Sequence, residues 1–202
     1  MLIVIIYGEG DSRSVAYGQI GAFKASAEST VNGGKGGFYI GRYEQGTGNV
    51  CKAGVAPYTN ISRDNAKTQA EAICSSNNNV ESELISSYAW DTALNFICQT
   101  NVEDGEEYNL SITTSSNYAN LGTDKKENTG EYAADNYSNI HDFLGNCVEW
   151  TTEYSGDGYY SCVARGGSYD IFSGNSSGAD RGGNANIDTY DGISFRTQLY
   201  VK

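Results

Sequence analysis

Three stretches of the chain place apolar side chains at helical spacing. The first covers residues 14–31 and ends in the glycine-rich segment 32–37, where a helix would stop. The second begins at Ser62, a residue type that caps helix N-termini, and runs to about residue 74. The third begins at Ser87. The predicted inward faces of the second and third helices are Ala66, Ala70 and Ile73, and Trp90, Ala93, Leu94 and Ile97.

The other apolar runs are short and predict strands. Residues 1–7 are almost continuously apolar, residues 38–43 are rich in aromatic and branched side chains, and residues 193–201 form a third strand-like run. From residue 101 onward the chain has no helical period, because Asn, Ser, Thr, Gly and Tyr dominate it. The pattern therefore predicts an α+β fold with two or three helices, short antiparallel strands and long loops.

The composition predicts one domain over residues 1–202. A chain of 202 residues can bury a core, and no Pro-rich or Ser/Gly-rich linker divides it. The formal net charge of -12 repels phosphate backbones and anionic lipid heads, so we expect no nucleic-acid partner and no membrane insertion. The 25 glycines and 16 tyrosines are common in loop-rich binding proteins.

The N-terminal run and the cysteines give few functional signals. Residues 1–7 lack a basic segment and a small-residue cleavage site, so we expect no export by the general secretory route, which a virion protein released by lysis does not need. The cysteines are odd in number and include no C-x-x-C pair, which predicts mostly buried thiols. They are Cys51, Cys74, Cys98, Cys147 and Cys162.

Three motifs in the last third of the chain carry residue types suited to a structural frame, at residues 145–151 (GNCVEWT), 165–169 (RGGSY) and 192–196 (GISFR). We expect Trp150 to fill the core and Glu149 to accept hydrogen bonds from loop amides. Gly166 and Gly167 permit close backbone approach or positive φ. Arg196 can hold loop carbonyls or a carboxylate in a fork.

Taken in order with two upstream segments, these motifs resemble the formylglycine-generating-enzyme family. The segment GFYIGRYE at residues 37–44 resembles the opening strand of such domains, and WDTAL at residues 90–94 resembles part of their central helix. The resemblance covers roughly residues 36–200. It implies a C-type lectin fold of the formylglycine-generating-enzyme type, in which we expect the N-terminal strand to pair with the last one.

The chemistry of that family is predicted to be missing. Its oxidase members bind copper through two cysteine thiolates shortly after the RGGSY-type motif, and the matching positions here are Ile171 and Ser176. Related sulfoxide synthases hold iron with several histidines, whereas this chain has only His141, which we expect to be a packing or surface residue. We therefore predict a protein that is not an enzyme and that needs no catalytic cofactor.

The segment between the last two motifs is the best candidate for function. Apart from Arg181, residues 168–191 contain only Asn, Asp, Ser, Thr, Gly, Ala, Ile, Phe and Tyr, the set that substitution of adenines in an Asn codon can reach. Variable proteins of diversity-generating retroelements, including phage receptor-binding tail proteins, use this fold and diversify its C-terminal segment at such codons. The predicted ligand-binding residues are Tyr169, Asp170, Ile171, Phe172, Asn175, Asp180, Asn184, Asn186, Asp188 and Tyr190.

Such a segment supplies rigid aromatic contact area together with adaptable polar groups. We expect it to bind a bacterial-surface protein or glycan, as part of a virion (phage tail) or at a bacterial cell surface. Ordinary C-type lectins that bind sugars through calcium use a Glu-Pro-Asn or Gln-Pro-Asp motif. The sole proline here, Pro57, lies in Ala-Pro-Tyr, so calcium-dependent sugar binding is not supported. A structural Ca²⁺ stays possible where carboxylate and amide oxygens could converge. The candidate pairs are Asp142 with Asn146, and Asp180 with Asp188.

Three alternatives stay open at this stage. One is a formylglycine-generating-type oxidase that acts on a peptide cysteine. Another is a structural virion decoration domain without a specific ligand. The third is that residues 168–192 form an ordinary polar loop whose composition echoes the rest of the chain.

Overall fold

The computed structural model describes residues 4–6, 38–100, 102–103, 106–107, 125–154, 156, 158–170, 178–179 and 181–201. The α-helices within these described residues are α1 (Arg63–Ala72) and α2 (Ser87–Thr100). The strands are β1 (Val4–Ile6), β2 (Phe38–Ile40), β3 (Val80–Leu84), β4 (Val102–Glu103), β5 (Glu106–Glu107), β6 (Asn136–Tyr137), β7 (Ile140–His141), β8 (Val148–Tyr154), β9 (Cys162–Arg165), β10 (Gly182–Asn184), β11 (Ile193–Phe195) and β12 (Thr197–Val201). Short 3₁₀ turns lie at Ala133–Asp135 and Gly158–Tyr160. The helix predicted over residues 14–31 lies outside the described residues.

The first sheet is antiparallel and has the order β1-β2-β12-β3. The apolar N-terminal run does form a strand, but the predicted pairing of that strand with the last one is wrong. β12 is flanked by β2 on one side and by β3 on the other, with Thr197 opposite Leu84. A strand has only two edges for hydrogen bonding, so β1 pairs with β2 instead, with Val4 opposite Ile40.

The second sheet has the order β10-β9-β8-β11, and β11 runs parallel to β8. The predicted final strand over residues 193–201 is therefore two strands in different sheets, separated by Arg196. The chain leaves one sheet and enters the other at this buried arginine. β10 is the outer strand of its sheet, with Gly183 opposite Val163 of β9.

Helix α1 begins where the sequence predicts. The Ser62 side chain accepts a hydrogen bond from the backbone N–H of Asn65 at 3.5 Å, and Ala66 and Ala70 are buried. Arg63 is also buried, which the sequence did not predict. Its guanidinium donates to the carbonyl oxygen of Thr151 at 2.8 Å, so the first turn of α1 is fixed to β8.

Helix α2 supplies the centre of one apolar cluster. Trp90, Ala93, Leu94 and Ile97 are all buried, as predicted. The Trp90 ring stacks on Phe143 with centroids 4.0 Å apart. Among the described residues, no helix is both long and apolar enough to cross a membrane.

A second apolar cluster is built around Trp150. Its indole N–H donates to the carbonyl oxygen of Ile61 at 2.9 Å, which confirms both parts of the prediction for this residue. Cys162 belongs to the same cluster as a free thiol, and Cys147 is a second buried free thiol. Cys51 and Cys74 are free and half-buried.

Candidate functional site

A buried ion pair closes the frame beneath the candidate site. The Arg196 guanidinium contacts both carboxylate oxygens of Glu149, with Nη2 at 2.7 Å from Oε1, and neither side chain is accessible to solvent. Arg196 also donates to the carbonyl oxygens of Gly41 and His141, each at 2.8 Å. The predicted fork is confirmed, and it holds three chain segments together. Burial raises the pKa of Glu149 to about 7, while Arg196 opposes that rise.

Glu44, and not Glu149, accepts the hydrogen bonds from loop amides that were predicted for Glu149. Its carboxylate accepts hydrogen bonds from the Asn146 side-chain amide at 2.7 Å and from the backbone N–H of Cys147 at 2.9 Å. The expectation that Glu149 accepts from loop amides is not met, because the hydrogen bonds to Glu149 among the described residues come from Arg196. Glu44 carried no signal in the sequence beyond its place after the predicted strand over residues 38–43.

A second buried charge centre fixes the start and the middle of the candidate segment. Asp91 of α2 lies between two arginines, with Oδ1 at 2.7 Å from Arg165 and Oδ2 at 2.6 Å from Arg181. The carbonyl oxygen of Gly178 accepts from the Trp90 indole at 2.9 Å and from Arg165 at 3.1 Å. We call Asp91, Arg165, Arg181 and the Gly178 carbonyl the α2 anchor.

The glycine pair of the RGGSY motif makes this close packing possible. Gly166 has φ of +97° and Gly167 has φ of +75°, so the predicted positive φ is confirmed at both. A Cβ atom on Gly166 would lie 3.0 Å from both the Phe143 carbonyl oxygen and the Trp90 ring. A side chain at this position would push the strand end away from α2.

Four of the predicted ligand-binding residues lie near one another. Asp170 is exposed and Tyr169 is half-buried, and the Tyr169 hydroxyl donates to Asp191 at 3.3 Å. Burial, followed by the charges of Asp170 and Asp188, raises the pKa of Tyr190 to about 12. A Cβ atom added at Gly192 would lie 3.4 Å from both Asp170 Oδ1 and the Tyr190 ring, so these two side chains lie on one surface.

Asp191 is the centre of a polar network that joins this surface to other loops. Its carboxylate accepts from Thr59 at 3.2 Å, from Asn60 at 3.4 Å and from Lys126, in addition to Tyr169. These bonds, that from Lys126 first, lower the pKa of Asp191. Asp191 was not among the predicted contacts. Most of its partners lie far from it in the sequence, so residue spacing could not have indicated them.

The other predicted residues are placed apart or lie outside the described residues. Asn184 is half-buried on β10, where its amide donates to the Gly182 carbonyl at 3.0 Å. Asn186 is half-buried and donates to Asp64 at the start of α1 at 2.5 Å. The remaining predicted residues lie outside the described residues, and these are Ile171, Phe172, Asn175 and Asp180.

Exposed apolar groups mark one position that the sequence prediction missed, Ile187, and one that it included, Tyr190. Ile187 is 69% exposed and Tyr190 is 38% exposed, and both lie in the loop between β10 and β11. We define the C-terminal surface as Tyr169, Asp170, Ile187, Asp188, Tyr190 and Asp191. Isolated exposed apolar residues are normal on a protein surface, but exposed tyrosine side chains beside small polar residues are typical of binding surfaces such as antibody paratopes.

The side chains that could serve the chemistry of the related enzymes are His141 and the cysteines. Burial, followed by the charges of Arg42 and Arg196, lowers the pKa of His141 to about 4, so its ring is neutral at pH 7. Burial raises the pKa of the Cys147 thiol, which disfavours the thiolate that copper binding requires. The positions aligned with the copper cysteines, Ile171 and Ser176, lie outside the described residues, and neither side chain can form a thiolate. The residue set does not fit the copper centre that the family resemblance implies.

The first pair of candidate calcium ligands, Asp142 and Asn146, already has protein partners, and Asp180 of the second pair lies outside the described residues. Asp142 accepts from the backbone N–H of Gly130 at 2.6 Å, and the Asn146 amide oxygen accepts from the backbone N–H of Glu127 at 3.0 Å. Burial raises the pKa of Asp142 to about 6. Within the described parts of the chain, no group of three or more His, Cys, Asp or Glu side chains is arranged to hold a metal ion.

Comparison with known proteins supports the fold assignment. The sequence matches no protein-family model and no curated protein. Among solved structures, the chain is similar to Treponema denticola variable protein 1, with a TM-score of 0.57 and 15% identity over 81% of this chain and 84% of that one. It is also similar to CarF, with a TM-score of 0.58 and 16% identity over 83% of this chain and 87% of that one. The predicted C-type lectin fold of the formylglycine-generating-enzyme type is therefore confirmed.

Proposed function

We propose that this chain is a non-catalytic ligand-recognition protein that binds through the C-terminal surface. The similarity to a variable protein supports recognition at the level of the fold. The finer proposal is a phage or prophage receptor-binding protein, or a variable protein diversified by a retroelement, acting at a virion or bacterial surface. Its partner would be a bacterial-surface protein or glycan.

The observation that carries the proposal is a fixed backbone beneath exposed side chains. The carbonyl oxygens of Asn186, Tyr190 and Gly192 accept backbone hydrogen bonds from Arg63, Asn60 and Val148 at 3.2, 3.2 and 2.9 Å. These bonds do not depend on which side chains the loop carries. An exposed residue such as Ile187 can therefore be exchanged without loss of these backbone bonds, which is what a diversified binding surface requires.

The predicted ligand-binding residues fall into three groups according to their position in the structure. Tyr169, Asp170, Asp188 and Tyr190 form its described centre, and Ile187 adds the most exposed apolar group among the described residues. Asn184 and Asn186 border this centre on the β10 side. The predicted residues outside the described parts, Ile171, Phe172, Asn175 and Asp180, remain proposed contacts on the sequence pattern alone.

A binding screen with intact bacteria tests the proposal. Fluorescently labelled protein is mixed with a panel of Gram-negative and Gram-positive cells, with and without prior protease treatment of the cells. Saturable binding to some strains is expected, and protease sensitivity would separate a protein partner from a glycan. Absence of binding to every strain would favour the structural decoration alternative.

The oxidase alternative needs a separate assay. Purified protein loaded with copper is incubated with a cysteine-containing peptide, and formation of formylglycine is followed by mass spectrometry. We expect no turnover above the peptide alone. Turnover that depends on the protein would contradict a non-catalytic role.

Diversification has its own genomic test. An adenine-rich near-copy of the segment that encodes residues 168–196, next to a reverse-transcriptase gene, would support it. Without such a copy, the binding proposal stands on the surface alone.

A further inference from the structure

Three exposed tyrosines lie outside the segment to which function was assigned. Tyr154 at the end of β8 is 57% exposed, and Tyr159 and Tyr160 in the following 3₁₀ turn are 64% and 62% exposed. The rings of Tyr159 and Tyr160 form an edge-to-face pair with centroids 5.0 Å apart. Three such rings within seven residues exceed what an ordinary surface turn needs. We call them the tyrosine turn.

The tyrosine turn is packed against the outer strand that leads into the C-terminal surface. A Cβ atom on Gly183 of β10 would lie 3.0 Å from the Tyr160 carbonyl oxygen and 3.6 Å from its Cβ atom. A side chain at Gly183 would therefore displace the turn. On the neighbouring Gly182, the nearest atom to a Cβ would be the Ala164 carbonyl oxygen at an ordinary 3.5 Å. The turn therefore packs against β10, and the chain continues from the end of β10 at Asn184 to Ile187 of the C-terminal surface.

The aromatic rings of the tyrosine turn favour binding of a cationic group. The Arg63 guanidinium already lies 4.1 Å above the centroid of the Tyr154 ring, and it donates to the Tyr154 hydroxyl at 2.7 Å. The described residues place no cation over the rings of Tyr159 and Tyr160. An aromatic face attracts a guanidinium or ammonium group through its quadrupole. Tyr and Arg are also the residues most enriched at the energetic centres of protein interfaces.

The negative charge around the turn also favours a cationic partner. Among the described residues, three cations lie near β10, and each already has a partner: Lys126 pairs with Asp191, Arg63 lies over the Tyr154 ring, and Arg181 contacts Asp91 and Glu153. Four carboxylates border β10 and the C-terminal surface. These carboxylates are Asp64, Asp170, Asp188 and Asp191. The whole chain carries a formal net charge of -12. Long-range attraction therefore selects a partner with positive potential.

We propose that the tyrosine turn extends the recognition surface and contacts a basic protein segment, with Arg or Lys side chains of the partner over the rings of Tyr159 and Tyr160. This inference rests on the proposed recognition function and commits it to a protein partner. A neutral glycan carries no positive charge that the surrounding carboxylates could attract.

The test uses short peptides as probes and isothermal titration calorimetry as the readout. Hexa-arginine is titrated into the full chain, with hexaglutamate and the neutral sugar maltohexaose as comparison ligands. The variant Tyr159→Ala/Tyr160→Ala is expected to bind hexa-arginine about tenfold more weakly than the wild type, since each ring supplies a cation–π contact. Phenylalanine at both positions is expected to preserve binding. Tyr132→Ala, at a residue that is 38% exposed and outside the turn, is the matched control.

Two further measurements separate a specific contact from general attraction to an acidic protein. Gly183→Ala is expected to weaken hexa-arginine binding several-fold, while Gly182→Ala leaves it unchanged, because only the former displaces Tyr160. Raising the salt concentration is expected to weaken binding in every variant, and the ratio between wild type and double variant is expected to persist. Unfolding midpoints confirm that all variants are folded.

Equal affinity of the double alanine variant and Tyr132→Ala for hexa-arginine would overturn the proposal. A loss confined to maltohexaose would also overturn it and would indicate a glycan partner. Failure here differs from failure of the proposed function. If the labelled protein binds bacteria and the tyrosine-turn variants bind them equally well, the inference is lost and the proposed function stands. If no bacterium is bound, the proposed function is lost whatever the peptide result.

Discussion

Replacing Asp91 by asparagine tests whether the α2 anchor holds the candidate segment. Asp91 is 1% exposed and neutralises Arg165, which is also 1% exposed. Its second oxygen contacts Arg181, 2.6 Å away and 29% exposed. The substitution keeps the size of the side chain and removes its charge. It also replaces one acceptor oxygen by an amide group that would donate toward a guanidinium.

The magnitude follows from the burial of the two partners. Removing one member of a buried ion pair costs about 3–5 kcal/mol, because the other charge stays desolvated. Arg165 keeps the Gly178 carbonyl at 3.1 Å and has Glu153 at 4.0 Å, so we take the lower end, about 3 kcal/mol. Arg181→Ala breaks the more exposed half of the anchor and should cost about 1 kcal/mol.

Urea unfolding followed by tryptophan fluorescence measures both losses. Trp90 donates to Gly178 within the anchor and Trp150 reports the second cluster, so the transition samples both apolar clusters. Lys67→Ala is the matched control, since Lys67 and Glu71 form an exposed pair at 3.8 Å that is worth less than about 0.5 kcal/mol. A loss for Asp91→Asn no larger than that for Lys67→Ala would refute the reasoning.

Two further predictions concern the frame. The pKa of His141 is lowered from 6.5 to about 4, so the unfolded chain binds this proton first and stability falls as pH drops from about 6.5 to 4. Compared with His141→Asn by urea unfolding across this range, the wild type should lose about 3 kcal/mol more, and parallel pH profiles would contradict the assignment. Gly166→Ala should cost at least about 2 kcal/mol, because it combines positive φ with a steric overlap. Gly156→Ala, at φ of +81° with nothing within 4 Å of the added Cβ, should cost about 1 kcal/mol, and equal losses would remove the steric part of the argument.

The sequence predicted those features that single residue types dictate locally. A serine before a helical period predicted the start of α1, and the apolar face of α2 followed from its spacing. The positive φ of Gly166 and the buried fork of Arg196 followed from what only glycine and arginine can do. The fold class followed from the order of the motifs.

Partners across long separations could not be predicted in the same way. Glu44 and Asn146 lie 102 positions apart, and both Glu44 and Glu149 suited the role of accepting loop amides. The strand order was predicted wrongly for a similar reason. Which strands pair with the two edges of β12 depends on the whole sheet. The exposed Tyr159 and Tyr160 carried a usable local signal, two adjacent tyrosines next to glycines, which lies outside the segment with the distinctive composition.

The central claim is that the C-terminal surface binds the partner, and paired variants test it most directly. The measurement is the affinity of labelled protein for a bacterial strain that the wild type binds. Ile187→Ala/Tyr190→Ala removes groups that are 69% and 38% exposed, and Val50→Ala/Tyr132→Ala removes groups that are 41% and 38% exposed outside this surface. We predict a loss of at least about tenfold for the first pair, because apolar and aromatic anchors carry most interface energy, and an unchanged affinity for the second. Equal affinity of both pairs and the wild type would contradict the account.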